Sequence, residues 1–117
     1  PYPIWDAAAR FTKNMYITGS TMVLSFQIKK RLTIGRGGMI LTNDKFAYDW
    51  FKKSSYDGRD LTKPYDTDCP TFLGYHFYMT PEDAARGLIL FHDLPEKNED
   101  VTSWKNYTDL STLKVFK

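Results

Sequence analysis

The stretch SFQIKKRLTIGRGGMILTND, residues 25–44, decides the fold of this chain. It begins at the end of one β-branched and apolar run, residues 21–26, and contains a second, residues 38–42. Runs of this length and composition are typical of buried strands. Between them, the glycines of residues 35–38 allow backbone angles that are closed to other residues. The stretch therefore predicts two strands that are joined by a glycine-rich turn.

The residues before this stretch predict one more strand. Residues 2–5 are apolar and aromatic, and Asp6 follows them directly. In open α/β sheets, ligands bind at the edge where parallel strands have their carboxyl ends. We therefore expect Asp6 to lie at the ligand-binding edge of a sheet.

Two helices are predicted after the stretch. Asn43 is a suitable N-cap for a helix that runs to about Lys53. Thr80, with Pro81 next to it and an acidic residue three positions later, begins a second helix, which Pro95 ends. The spacing of this helix predicts inward-facing side chains at Ala84, Ala85, Leu88, Ile89 and His92.

The composition indicates one folded domain without a polyanionic partner. The chain has 117 residues, of which 42% are hydrophobic, and this is enough for a core. A net charge of +2 is too small to indicate binding to nucleic acid or to a membrane surface. No run reaches the roughly 18 apolar residues of a membrane span. Cys69 is the one cysteine and no Cys/His pair has metal-ligand spacing, so we expect no metal site and a cytoplasmic location.

Asp6, Ser25 and Lys30 have the side-chain chemistry that a pyridoxal phosphate site needs. A carboxylate beside the pyridine nitrogen keeps that nitrogen protonated. An amine can bond to the cofactor and later move a proton. A hydroxyl where the chain leaves a strand can bind phosphate. Each residue also has a plainer explanation, because Lys-Lys-Arg turns are usually solvated and Asp and Ser often cap helices or bond to the backbone.

These residues resemble the central motif of the DegT/DnrJ sugar aminotransferases. That motif has Ser-Phe, then the lysine, then Leu-Thr-x-Gly-Glu-Gly-Gly and a strand ending in Thr-Asn-Asp, and residues 25–44 match it without a gap. Residues 4–8 resemble the family's Glu-Asp-Ala-Ala. Residues 57–60 and 74–79 are similar to the family's loop and to its Gly-x-Asn-x-Arg-Met segment. The resemblance spans most of residues 2–95.

The resemblance implies a fold, a cofactor and a reaction. The fold is part of the large domain of the pyridoxal-phosphate-dependent, aspartate aminotransferase-like transferases, an α/β fold with a mostly parallel sheet flanked by helices. The cofactor is pyridoxal 5'-phosphate. The reaction transfers an amino group from glutamate to a keto group on a nucleotide-linked sugar, as in polysaccharide biosynthesis, and the enzyme is a homodimer.

The resemblance also assigns the site residues. Lys30 is the catalytic, Schiff-base lysine, and the neighbouring Lys29 is not the aligned position. Asp6 is the partner of the pyridine nitrogen, and Ser25 is a phosphate ligand. His76 takes the place of an asparagine that reaches the phosphate from a neighbouring subunit, and it can still donate a hydrogen bond there.

Some positions depart from the family pattern. Ala9 stands where the family usually has a Gln or His packed on the cofactor ring. Arg36 replaces a glutamate and Tyr78 an arginine. A sugar dehydratase of the same family is disfavoured, because those enzymes typically have histidine at the position of Lys30.

The resemblance also implies a much longer chain, with an N-terminal part and a C-terminal small domain. We therefore expect residues 1–95 to be a cofactor-binding segment of the large domain, and residues 96–117 to be a polar tail that could begin a small domain. A second hypothesis stays open, in which the chain is a truncated or degenerate relative that acts as a non-catalytic binding or structural subunit.

Overall fold

The structure is a computed structural model that describes residues 3–102 and 107–116. Within these ranges the chain forms three strands and two α-helices: β1 (Ile4–Asp6), β2 (Thr21–Ser25), β3 (Gly38–Thr42), α1 (Lys45–Ser55) and α2 (Pro81–Asp93). Two short 3-10 helices follow, at Leu110–Thr112 and Lys114–Phe116. Tyr2, the predicted start of the first strand, and residues 103–106 of the predicted tail lie outside the described residues.

The strands form a mixed sheet in the order β1-β2-β3. β1 runs parallel to β2, with Asp6 opposite Val23, and β2 runs antiparallel to β3, with Ser25 opposite Gly38. The α/β class is therefore confirmed, but the described sheet is mixed rather than mostly parallel. A parallel return from β2 would need a crossover connection, usually a helix. Residues 26–37, all described, contain no α-helix, so the chain returns as an antiparallel neighbour.

The two faces of the sheet differ in burial. Along β2, Met22 and Leu24 are each 3% exposed, whereas Val23 between them is 40% exposed. This alternation follows from the two-residue period of a strand. The buried face belongs to the core, which also contains Ala7, Phe26, Leu32 and Ile34.

Helix α2 contacts this core through a different face from the predicted one. Gly87 is buried, and Leu90 packs against the core. A Cβ at Gly87 would crowd the side chain of Ile34, so the missing side chain allows the close approach of the helix. Most of the residues that were predicted to face inward are exposed instead: Ala85, Leu88, Ile89 and His92.

Helix α1 begins one residue later than predicted. Asp44, not Asn43, is the N-cap, and its Oδ1 accepts hydrogen bonds of 2.8 and 3.1 Å from the N–H groups of Phe46 and Ala47. The Oδ1 of Asn43 instead accepts a hydrogen bond of 2.7 Å from the hydroxyl of Tyr16. Asn43 therefore ties the connection between β1 and β2 to the end of β3.

Candidate active site

Asp6 and Ser25 lie at the same edge of the sheet. They are the last residues of β1 and β2, and these strands are parallel. Asp6 is opposite Val23, and Ser25 is two residues further along β2, which corresponds to about 7 Å along the strand. Residues two apart on a strand share a face. The structure therefore places the predicted carboxylate and hydroxyl on one face and at one edge.

A backbone turn fixes the direction of the Asp6 carboxylate. Its Oδ1 accepts a hydrogen bond of 2.9 Å from the N–H of Ala8. Ala7 is buried, and its N–H donates to the carbonyl of Val23 at 2.9 Å. The N–H of Arg10 closes the turn by donating to the carbonyl of Ala7 at 3.0 Å. Asp6 is thus exposed at the edge but held by the turn that follows it.

Lys30 lies in the turn by which the chain leaves this edge. Its N–H donates to the carbonyl of Gln27 at 2.8 Å, and Gln27 Oε1 accepts from the N–H of Lys29 at 2.8 Å. The N–H of Gln27 donates to Ser25 Oγ at 3.4 Å. Lys30 is half-buried, whereas Lys29 is exposed. We call Asp6, Ser25 and Lys30 the edge set.

Buried side chains hold this turn to the core. Phe26 is 1% exposed, and Leu32 and Ile34 are also buried. The N–H of Phe26 donates to the carbonyl of Gly37 at 2.9 Å, and its carbonyl accepts from the N–H of Gly35 at 2.8 Å. Gly35 and Gly37 have φ angles of 121° and 82°, which other residues rarely adopt. The glycine-rich segment therefore closes the base of the lysine turn.

His76 lies on a different segment, which pairs with the end of α1. It forms an antiparallel bridge with Tyr56. Its Nδ1 is 3.6 Å from Oδ2 of Asp57, and its ring centre is 4.2 Å from that of Tyr78. The His76 side chain is exposed.

A cavity of about 480 Å³ lies beside His76. It is lined by residues 36–38 on one side and by residues 76–80 and Asp83 on the other. Arg36 Nε donates to Asp83 Oδ2 at 2.7 Å, and this hydrogen bond lowers the pKa of the Asp83 carboxyl. None of the three residues of the edge set, all of which the structure describes, lines this cavity.

Asp83 lines this cavity, whereas the sequence predicted it only as part of a helix start. The signal that could have revealed its second role was the charge at Arg36. A guanidinium in place of the family's glutamate favours a nearby carboxylate partner. Asp83, in the first turn of α2, provides that partner.

The described residues contain neither a metal cluster nor a helix that could span a membrane. Among the described residues, no group of three or more His, Cys, Asp and Glu side chains is arranged to hold a metal ion. Likewise, no helix in the described ranges is both long enough and apolar enough to cross a membrane.

The comparisons with known proteins agree with the motif in β2 and the turn after it. The model of the DegT/DnrJ/EryC1/StrS aminotransferase family matches residues 12–110. The chain belongs to this family. The resemblance inferred from residues 25–44 is thereby confirmed, and members of this family are aminotransferases that generally depend on pyridoxal phosphate.

Comparison with one relative shows that the chain matches only part of that relative's length. GDP-perosamine synthase from Escherichia coli O157:H7 is 37% identical to the chain over 70 residues. The match covers 60% of the chain and 18% of that relative. The chain therefore corresponds to a small part of the relative's length.

Proposed function

We propose that this chain is the cofactor-binding part of a pyridoxal-phosphate-dependent aminotransferase acting on a nucleotide-linked keto sugar. Family membership supports amino-group transfer. A relative named for a GDP-linked sugar supports the substrate class. The observation that carries the proposal is the shared edge and face of Asp6 and Ser25, with Lys30 in the turn that follows.

The edge set fits the cofactor in its donor chemistry. The carboxylate of Asp6 would lie beside the pyridine nitrogen, the hydroxyl of Ser25 would bind the phosphate, and the amine of Lys30 would bond to the carbonyl carbon. When bound, the cofactor supplies a ring that accepts electrons from the substrate carbon. Residues 3–30 thus provide each kind of group that the cofactor needs.

Each member of the edge set then has a definite task. Asp6 would hold the nitrogen end of the cofactor, where its negative charge would favour the protonated ring. Ser25 fixes the phosphate end by a hydrogen bond to an anionic oxygen. Lys30 would hold the cofactor at rest and, when its amine is free, would accept and donate a proton at its Nζ. The turn after Asp6 contains Ala9, so this turn presents a methyl group where most of the family has a larger packing partner.

We propose that His76 acts on a second subunit of a homodimer. The His76 side chain is exposed and lies on a different segment from the edge set. It is therefore suited to donate a hydrogen bond to the cofactor phosphate of a neighbouring subunit. Glutamate as amino donor, implied by the family resemblance, and a cytoplasmic location, inferred from the single cysteine, complete the proposal. The boundary between residues 1–95 as large-domain segment and residues 96–117 as tail stays a prediction.

Covalent labelling tests the assignment of Lys30. The chain is incubated with pyridoxal phosphate, reduced with borohydride and digested, and each lysine is assayed for the phosphopyridoxyl group by mass spectrometry. We expect the label on Lys30, its loss in Lys30→Ala, and its retention in Lys29→Ala. Lys29 is a matched control because it is the adjacent residue and is more exposed.

Equal labelling of all lysines would contradict this assignment. It would favour the second candidate, a non-catalytic binding or structural subunit. The observation in favour of that candidate is the Arg36–Asp83 ion pair, in which Arg36 stands where the family has a glutamate.

A further inference from the structure

The segment that follows α2 returns to the turns beside the edge set. Residues 96–101 run beside residues 9–13: the N–H of Val101 donates to the carbonyl of Ala9 at 2.8 Å, and the N–H of Lys13 donates to that of Glu96 at 2.7 Å. We call residues 96–101 the clasp segment. The polar composition of this segment predicted a tail, but its backbone is bonded to the turn that follows Asp6.

Asp100 makes the most directional contact of the clasp segment. Its carboxylate accepts from Arg10 Nε at 2.9 Å and from Arg10 Nη2 at 2.8 Å. A two-point pair of this kind fixes orientation as well as distance. The hydrogen bond from Arg10 lowers the pKa of the Asp100 carboxyl and raises the pKa of the Arg10 guanidinium. Both groups are therefore charged at neutral pH.

The same segment also contacts the lysine turn. Arg31 Nε donates to the carbonyl of Glu99 at 2.5 Å, and Arg31 Nη2 is 3.5 Å from the carbonyl of Asp100. On the other side of Lys30, the Nζ of Lys29 lies 5.7 Å from the ring centre of Tyr107. Residues on both sides of Lys30 are thus held by the chain that follows α2.

Asp100 therefore contacts residues of both turns, Arg10 through its carboxylate and Arg31 through its main-chain carbonyl. Arg10 closes the turn after Asp6, and Arg31 is adjacent to Lys30. A lysine has a flexible four-carbon stem, so the reach of its amine depends on how the backbone beneath it is held. We propose that Asp100 is a positioning residue: its carboxylate, paired with Arg10, fixes the backbone of residues 99 and 100 to which Arg31 bonds, and so aims the Lys30 amine relative to Asp6.

This inference rests on the proposed function, and the clasp segment contains its own control. Glu96 pairs with Lys13, with Nζ–oxygen distances of 2.8 and 2.7 Å. That pair anchors the same segment by an exposed ion pair, as Asp100 does. Arg31 bonds to the carbonyls of Glu99 and Asp100 and not to Glu96 or Lys13, so loss of this pair loosens the other end of the segment.

The experiment measures where the cofactor bonds. After incubation with pyridoxal phosphate and reduction, the ratio of label on Lys30 to label on Lys29 is determined by mass spectrometry. We expect this ratio to fall by about tenfold or more in Asp100→Ala, because small misplacements of a reacting group have large effects on rate. Asp100→Glu should restore part of the ratio, and Glu96→Ala should leave it unchanged. A merely structural loosening would move the thermal midpoints of both alanine variants alike, and not this ratio.

The outcomes separate the two proposals. An unmodified chain with no preference for Lys30 refutes the proposed function, and the inference with it. A preference that persists in Asp100→Ala refutes the positioning role alone. If Asp100→Ala does not fold, the ratio is measured in Arg10→Ala, which breaks the same pair: a fall supports the role and an unchanged ratio overturns it.

Discussion

The turn that carries Lys30 and the segment that carries His76 are held by different means. The lysine turn is anchored by buried apolar side chains, above all Phe26, which is 1% exposed. The histidine segment, residues 74–80, has no fully buried residue, and Phe77 within it is 74% exposed. It is held by backbone hydrogen bonds to the end of α1 and by close backbone approach at Gly74. A core-anchored turn suits a residue that must stay in place, and a surface segment suits one that reaches outward.

The largest expected effect is on the lysine turn. Phe26→Ala removes the most buried large side chain and leaves a cavity, so we expect a loss of about 4 kcal/mol in the free energy of unfolding. Urea unfolding followed by tryptophan fluorescence measures this loss. Phe46→Ala is the control, because Phe46 is 80% exposed and should change the free energy by less than about 0.5 kcal/mol. Equal losses in both variants would show that the turn is not anchored by the core.

The next effect is on the histidine segment. A Cβ at Gly74 would overlap the backbone of Asp57 and Gly58, so Gly74→Ala must displace main chain. We expect a loss of about 2 to 3 kcal/mol in unfolding free energy. The label on Lys30 should persist in the folded fraction, since the lysine turn has separate anchors.

Gly19→Ala is the control for that substitution. Gly19 has a φ of 77° but open space around its Cβ position, so its replacement adds only backbone strain, about 1 kcal/mol. If Gly74→Ala were no more destabilising than Gly19→Ala, the close approach would not be what holds the histidine segment.

A smaller effect is expected where the histidine segment leads into α2. Thr80 Oγ1 accepts from the N–H of Asp83 at 3.3 Å and caps the helix. Thr80→Ala should lower the stability by about 1 kcal/mol, as measured by thermal melting in circular dichroism. Thr80→Ser keeps the hydroxyl and should have the same melting temperature as the unmodified chain. If Thr80→Ser lost as much stability as Thr80→Ala, the effect would be due to the methyl group of Thr80 and not to its hydroxyl.

The smallest effect is a pH dependence in the loop between α1 and the histidine segment. Hydrogen bonds from Thr62, together with one from Lys53, lower the pKa of Asp60 from 3.8 to about 2. Since the folded state binds the proton less readily than the unfolded state, the stabilisation is complete above pH 3.8 and is lost as the pH falls to about 2.

Urea unfolding at several pH values across this interval measures the stabilisation that the Asp60 carboxylate contributes. Asp60→Asn should lose stability less steeply with acid than the unmodified chain. Thr62→Val, which removes the first cause of the shift, should lie between the two. Parallel curves for all three chains would mean that Asp60 does not contribute.

The sequence predicted those features that depend on local composition. The strands at Thr21–Ser25 and Gly38–Thr42 have the β-branched and apolar residues that strands favour. The start of α2 at Pro81 follows from its cap. The common edge of Asp6 and Ser25 was also predictable, because carboxyl ends of parallel strands meet at one edge.

Features that depend on distant contacts were not predictable in this way. The inward face of α2 is set by the approach of Gly87 to Ile34, which periodicity does not contain. Asn43 and Asp44 are both good caps, and the choice falls on Asp44 because Tyr16 engages Asn43. Asp100 lies in a stretch whose polar composition looks like an ordinary tail, so its link to Arg10 becomes visible only in the fold.

Gln27 joins the proposed phosphate ligand to the lysine turn, and this has an evolutionary consequence. Its N–H donates to Ser25 Oγ, its carbonyl accepts from the N–H of Lys30, and its amide oxygen accepts from the N–H of Lys29. Substitutions at residues that share partners are not additive in their energies. In this bridge the Ser25 hydroxyl and the Gln27 amide are the groups that depend on side-chain identity, so these two positions are expected to evolve together.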